Sequence, residues 1–470
     1  MDRRGTSGRD GNRDARVPGR PAPRSRSREG ARDRAAPGLV APRDEAHAPA
    51  RPRGRHPSCH RGRGRGHEGT GRIAGERRGD HRLSREAPAG LSQASLVSRK
   101  AECSADELRA IGEAFEIPGE WRRAERLGRG HINDSYLAEF DVDGHVRRWV
   151  HQRINESVFP DPLAVMRNVE TVTRHLRERL ESGSAGRWEV LTLVPARAGG
   201  SWHRDPQGGV WRTYRHVERA RTFETGHQPE IARAAARAFG RFVRELGGLD
   251  PGTVIETIPR FHDLRLRCAR LFAAADEDRA GRAHGVRRDL DFVRARVGVA
   301  DRLDRLRRDE GLPVRVVHND TKVNNVLIDD ETGEGVCVLD LDTVMPGTLL
   351  FDYGDLVRTA TSRASEDAGD SAPVHVDLDL FEAVTDGYLE ETSRLADPVE
   401  IENLLFGAGY MTLIIGVRFL TDHLEGDPYF RTTRPGQNLD RWRTQRRLLE
   451  SLERHEEDLQ ALVLDLAHGR

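Results

Sequence analysis

The chain has 470 residues, enough for two or three ordinary domains or for one two-lobed enzyme with an appended tail. Its 76 basic and 76 acidic residues cancel, which on its face excludes a chain that holds nucleic acid by bulk charge. The balance is uneven: residues 1–100 carry 24 Arg and one Lys against 11 Asp and Glu, a net of +14, so residues 101–470 carry −14.

The first hundred residues contain 15 Gly, 9 Pro and no Phe, Trp or Tyr. Such a segment cannot bury enough apolar surface to offset its ordering entropy, and it reads as a disordered tail. Arg61–Gly66 resembles an RGG-like segment, but no aromatic is interleaved for stacking. Solvated disorder or a mis-assigned start is the favoured reading, with no nucleic-acid partner expected. Cys59, Cys103, Cys268 and Cys337 form no CxxC pair, which fits a reducing cytoplasm and no structural zinc. The Arg-rich start has no apolar segment of the secretory kind. The longest apolar stretch, Phe406–Leu420, includes Arg418 and is shorter than the roughly 20 residues a membrane helix needs, so a buried helix is expected and no membrane partner.

In chain order, a helical pattern over Ala105–Phe115 opens the folded part. Trp121–Gly128, Ser135–Asp141 and Val146–Ile154 read as strands, the last two joined by an Asp143–Gly144 turn. A helix is expected over Pro162–Leu180, then strands over Trp188–Pro195 and Val210–Val217. From residue 220 the pattern turns helical: Pro229–Leu246, Phe261–Ala275, Arg287–Arg308, Leu378–Arg394, Ile401–Leu424 and Leu439–Leu466. Three short strands, Val314–Val317, Val323–Asp329 and Val336–Leu341, interrupt it. The expected class is α+β with two lobes: a small antiparallel-sheet N-lobe over 101–219 and a mainly helical C-lobe over 220–470.

The informative segment is Val314–Arg358, which contains His318-x-Asp320-x-Lys322-x-x-Asn325. An Asp at a strand end with an Asn five residues on can place both at one metal–phosphate site. The Asp orients an attacking hydroxyl and the Asn oxygen binds Mg2+. The turn Asp330–Gly335 reverses the chain, and the next strand returns Asp340 beside Asn325. A plain hairpin with polar ends is the bland alternative. Lys322 is one of two lysines against 74 Arg, which suggests that a compact charge is wanted in this loop. Gly128-Arg129-Gly130 between two strands is the candidate phosphate loop, or an ordinary turn.

The segment resembles the catalytic core of the aminoglycoside phosphotransferase and choline kinase superfamily, which shares the protein-kinase-like fold. Asp340, Gly347 and Asp352 keep that family's spacing, while its His-Gly-Asp reads His318-Asn319-Asp320. More narrowly, HNDTKVNN, VLDLDTVMPG, FDYGDLVR, GRGHINDSYL, HQRIN, IPRFHD and RFLTDHLEGDPYFRT resemble N-acetylhexosamine 1-kinases over roughly residues 118–455. The resemblance implies ATP as co-substrate and the anomeric hydroxyl of an N-acetylhexosamine as acceptor. An aminoglycoside or other amino alcohol is the alternative acceptor, and a non-catalytic scaffold the alternative class. It implies Asp320 and Lys322 as catalytic residues and Asn325 and Asp340 as Mg2+ ligands. Asp342 reaches the metal region or makes a structural pair, and Asp352 braces the loop. Where protein kinases place a phosphate-binding Lys, this chain has Gln152 and Arg153; Arg153 is the expected phosphate contact, and Gln152 aligns equally well. Tyr214 to Val217 is the expected adenine hinge. His131, Asn133, Asp134, His262, Arg418 and Asp422 are the candidates on the substrate side.

Overall fold

The computed structural model describes residues 103–127, 132–181, 187–369 and 372–470. Helix α1 (Ala105–Glu113) starts in a capping box, in which the Ser104 hydroxyl and the Glu107 carboxylate satisfy each other's backbone N–H groups. Strands β1 (Glu120–Arg126), β2 (Asp134–Val142) and β3 (His145–Arg153) follow as an antiparallel meander. After helix α2 (Pro162–Glu181) come β4 (Trp202–Arg204) and β5 (Val210–Arg215), which complete a five-stranded sheet in the order β1-β2-β3-β5-β4. One face of the sheet buries Tyr136, Phe140, Trp149 and Trp211 against Leu108, Ile111 and Phe115 around α1. Val165, Val169, Val172 and Leu176 of α2 enter the larger core.

The expected strand over Trp188–Pro195 is instead an extended segment that touches β5 through one bridge, Leu193 to Tyr214. The edge it would need is taken farther along β5 by β4, which the alternation pattern did not reveal.

The C-lobe begins after β6 (Ala220–Arg221) with α3 (Pro229–Glu245), α4 (Leu264–Glu277), α5 (Arg287–Arg294) and α6 (Val299–Asp309). The single helix expected over Arg287–Arg308 is broken between α5 and α6, in a stretch that contains Gly298. Strand β7 (Arg315–Val317) leads to the β8 (Val326–Asp329) and β9 (Gly335–Val338) hairpin, with β6 added at its edge. Strand β10 (Met345–Gly347) pairs back onto β7. Next come α7 (Leu349–Ala360), α8 (Leu378–Thr392), α9 (Pro398–Glu402) and α10 (Leu404–Glu425). The chain ends with α11 (Gln437–Arg454) and α12 (Glu456–His468), two helices meeting at His455 where one was expected.

Helix α7 was not legible as a helix: nearly every one of its residues is buried, so no amphipathic stripe marks it. It is pressed onto α10 at two glycines. A Cβ on Gly354 would lie 2.3 Å from the Gly407 carbonyl oxygen, and one on Gly407 2.4 Å from that of Leu350. Only glycine permits this approach, and it fixes the helix that carries Asp352 and Asp355. Helix α10 is long and apolar enough to cross a membrane, but most of it is buried inside the protein. It is the central helix of the lobe.

Candidate functional site

The chain leaves β7 through His318 and enters Asn319 with φ of +63°, in the left-handed region. Asn is one of the few residues other than Gly that tolerates this conformation, because its short amide bonds locally. Here the amide nitrogen reaches the carbonyls of Val317, Thr343 and Met345 at 3.3, 3.1 and 3.3 Å, tying the loop to β10. The middle residue of the motif is therefore a tie as well as a turn. Asp352, fully buried near the start of α7, accepts the backbone N–H groups of His318 and Asn319 at 2.9 and 2.7 Å. The His318 ring donates to the Leu339 carbonyl at 2.8 Å and stands edge-on to Phe239 and Phe242. Burial lowers its pKa, so this imidazole is neutral packing rather than a proton carrier.

This frame presents Asp320. Its carboxylate lies 2.7 Å from the Lys322 ammonium. Burial alone would raise the carboxyl, but the attraction of Lys322 and its hydrogen bond prevail and hold it below the ordinary range. The Asn325 amide nitrogen donates to the Asp320 carbonyl at 2.9 Å and to its carboxylate at 3.3 Å. Among the described residues, no donor bonds the Asn325 side-chain oxygen. Val326 pairs with Val338, and the Leu339 N–H donates to the Asn325 carbonyl at 2.8 Å, so the hairpin brings Asp340 to Asn325. Asp320, Lys322, Asn325 and Asp340 converge.

Asp340 has φ of +54°, and burial raises its carboxyl to about 7, with the charges of Asp342 and Asp320 adding to the effect. Lys322 pairs with Asp320 and Arg212 with Asp342, so that among the described residues Asp340 is the carboxylate of the three without an ion-pair partner, and a divalent cation fits there. Among the described residues no group of three His, Cys, Asp or Glu side chains could hold a metal ion. Mg2+ needs none, since one or two protein oxygens plus phosphate and water complete its shell.

The other expected site residues fall elsewhere. Asp342 gives one carboxylate oxygen to Arg212 and the other to the Asn133 amide at 2.6 Å; it makes a structural pair and is not open to a metal. Asn133 is therefore a buried tie and not a substrate contact. Asp134 pairs with Arg126 at 2.7 Å on the sheet. Gly128, Gly130 and His131 lie outside the described residues. Arg153 sits opposite Trp211 on β5, packs against Gly209 and pairs with Asp205 at 3.6 Å. It lies on the face away from Asp342. Strand alternation gives the Asp342 face to Gln152, whose side-chain oxygen accepts from Arg212 at 3.0 Å.

Tyr214 turns its backbone to Val150 of β3, the bridge to Leu193 being bonded through Thr213 and Arg215, and its ring is buried beneath the Arg212 guanidinium. Among the described residues, no backbone hydrogen bond engages Val217, which leaves its amide and carbonyl available as a hinge. His262 is buried, with its ring bonded to the Asn319 carbonyl at 3.1 Å; burial drives its pKa to about 3, so it supports the loop as a neutral group. Asp422 is also buried and accepts the N–H groups of Tyr429 and Phe430 at 2.8 and 2.9 Å, closing a turn. Arg418 is held among the rings of Phe261, Tyr429 and Phe430.

A cavity of about 390 Å³ adjoins the catalytic loop through Asn319, with Phe261, His262, Phe351 and Tyr410 among its walls. Its charged lining is balanced: Glu256, Asp263 and Asp304 against Arg260, Arg265 and Arg307. A larger hollow of about 480 Å³ lies by Arg287 and Arg446 and contains none of the catalytic-loop residues. Sequence reasoning missed Arg212, whose only signal was a cation inside an apolar strand run, and it missed the buried Asp355–Arg358 pair at 2.7 Å.

Residues 123–383 match the model of the phosphotransferase enzyme family. Among solved structures, the chain is similar to a spectinomycin phosphotransferase bound to ADP and spectinomycin, at 10% identity and a TM-score of 0.47, over 78% of this chain and 99% of that one. It is similar to an aminoglycoside phosphotransferase from Alicyclobacillus acidocaldarius at 13% identity and a TM-score of 0.47, over 81% and 99% of the two chains. A microcompartment-associated aminopropanol kinase matches at 16% identity and a TM-score of 0.45, over 75% and 98%. None of these is close enough in sequence to carry its acceptor over to this chain.

Proposed function

Because the chain belongs to the phosphotransferase enzyme family, and so is a phosphotransferase with hydroxyl acceptors, we propose that it moves the γ-phosphate of ATP to a sugar hydroxyl, the anomeric hydroxyl of an N-acetylhexosamine. The observation that carries the phosphoryl-transfer reading is the convergence of Asp320, Lys322, Asn325 and Asp340 on one loop and hairpin. Asp320, ionised at neutral pH, orients the acceptor hydroxyl and takes its proton as the new P–O bond forms and the bond to ADP breaks. Lys322 keeps that carboxylate charged and supplies a compact cation beside the transferring group. Asn325 and Asp340 would hold Mg2+, which would supply positive charge to the phosphate oxygens. The Val217 backbone receives the adenine.

The sugar acceptor rests on the resemblance of HNDTKVNN, VLDLDTVMPG and FDYGDLVR to N-acetylhexosamine 1-kinases; the cavity beside Asn319 has none of Asp320, Lys322, Asn325 or Asp340 in its lining. Cys103, Cys268 and Cys337 are free thiols, in keeping with a cytoplasmic setting where ATP is available.

The test is ADP release by the full chain with Mg2+ and ATP, offered N-acetylglucosamine, N-acetylgalactosamine, glucose, kanamycin or ethanolamine. Turnover with an N-acetylhexosamine and not with kanamycin or ethanolamine is expected. Preference for either of the latter would replace the sugar acceptor. No ADP release with any of them, together with no thermal shift on adding Mg2+ and ATP, would leave a binding scaffold.

A further inference from the structure

Strand β5 reads Val210-Trp211-Arg212-Thr213-Tyr214-Arg215, and all but its last residue are buried. Alternation puts Trp211 and Thr213 on one face, near Asp205 and His151, and Arg212 and Tyr214 on the other. Arg212 has no exposed surface. Its guanidinium bonds Asp342, takes the Gln152 side-chain oxygen at 3.0 Å and stands 5.2 Å above the Tyr214 ring. Asp342, 1% exposed, spends its second oxygen on Asn133, and its carbonyl accepts from Thr257 at 3.2 Å. Asn133 in turn accepts the Asn155 N–H at 3.0 Å, and Gln152 donates to Ser135 at 2.9 Å.

One carboxylate therefore joins the sheet of the N-lobe, the segment just after residues 128–131, and the turn that carries Asp340. A buried ion pair is a poor way to add stability, because desolvation of both ions offsets most of their attraction. What such a pair does well is fix one arrangement over others. Asp342 lies two residues from Asp340 in a short 3-10 turn, Leu341–Thr343, and would be a second carboxylate free to compete for a cation if Arg212 did not hold it.

Resting on the phosphotransferase reading, we propose that Arg212 is a positioning residue: by holding Asp342 it keeps that carboxylate off the metal, sets Asp340 as the single presented carboxylate, and couples the nucleotide-side sheet to the metal. It touches neither substrate nor metal, since it is enclosed.

The test uses the full chain and the variants Arg212→Leu, Arg212→Lys and Arg212→Leu/Asp342→Asn. Mn2+ affinity is read by EPR titration in the presence of ADP, alongside the Mg2+ half-saturation of turnover and the thermal midpoint. Arg212→Leu frees the Asp342 carboxylate beside Asp340 and is expected to change Mn2+ affinity and Mg2+ half-saturation by about tenfold or more, the size of effect that altering the surroundings of a metal site commonly has. Arg212→Lys keeps the charge and should stay within about threefold of wild type, and the double variant should move back towards it because the unpaired carboxylate is gone. Unchanged Mn2+ affinity and Mg2+ half-saturation in a folded Arg212→Leu, even with a lower thermal midpoint, would overturn the proposal and leave a structural pair. If Arg212→Leu does not fold, Asp342→Asn takes its place: Mn2+ affinity within about threefold of wild type supports the proposal, because a carboxylate held off the metal adds nothing to its binding, and a loss of about tenfold or more overturns it, because Asp342 is then a ligand. Failure of the wild type to bind Mn2+ with ADP would instead overturn the phosphotransferase reading, and this inference with it.

Discussion

Asp352 accepts the backbone N–H of Asn319 at 2.7 Å, and its other oxygen accepts that of the neighbouring His318. The catalytic loop is thus hung on a carboxylate buried in α7. Burial raises that carboxyl from 3.8 to about 7, against the pull of the two N–H groups, and the charges of Asp355 and Asp320 push the same way. A folded value above the unfolded one means that the native state holds the proton more tightly. Its contribution to stability is complete below about pH 4 and is lost as pH rises through about 7. In Asp352→Asn that titration is gone, and one backbone N–H faces an amide donor at a cost of about 1–3 kcal/mol. Urea unfolding between pH 4.5 and 7 should therefore show the wild type's advantage shrinking with pH, by at most about 1.4 kcal/mol per unit. A difference independent of pH would contradict the buried, titrating brace.

Asn319 serves the same loop by conformation and by bonding. Asn319→Gly keeps the left-handed backbone and loses the three ties to Val317, Thr343 and Met345. Asn319→Ala loses the ties and also adds a steric cost of about 1–2 kcal/mol. Thermal unfolding should rank wild type above Gly and Gly above Ala. Equal midpoints for the two variants would show that backbone strain is not what selects the residue.

Arg153 faces Asp205 and Trp211, on the side of the sheet away from Asp342. Arg153→Ala should leave the KM for ATP within about threefold and lower stability by about 1–3 kcal/mol, because it leaves the buried Asp205 carboxylate without its cation. A tenfold rise in that KM, measured by ADP release, would return Arg153 to the phosphates.

What was legible in the sequence was whatever has a local cause. The strand alternation of β2 and β3, the amphipathic stripe of α3 and the strand–turn–strand signal around Asp330–Gly335 all reappear in the structure. The spacing from Asp320 to Asn325 and Asp340 was legible for the same reason: a hairpin returns its ends to one place. What depends on distant partners was hidden. Helix α7 has no polar face to mark it, and β4 and β6 are too short to alternate. The even choice at Asp342 turned on Arg212 and Asn133, 130 and 209 residues away in sequence. Asp422 and His262 are substrate-side candidates by their place in the helical lobe, where the superfamily binds acceptors; the structure shows each buried and bonded to backbone groups that no sequence pattern announces.

The central claim is that Asp320 faces an acceptor hydroxyl at a Mg2+–nucleotide site. It is tested most directly by the turnover of Asp320→Asn, with ADP release measured under saturating Mg2+, ATP and the acceptor that supports the fastest wild-type turnover. The account predicts a fall in kcat of about 10²–10⁴ with the KM for ATP little changed. Near-normal turnover by a folded Asp320→Asn would contradict it.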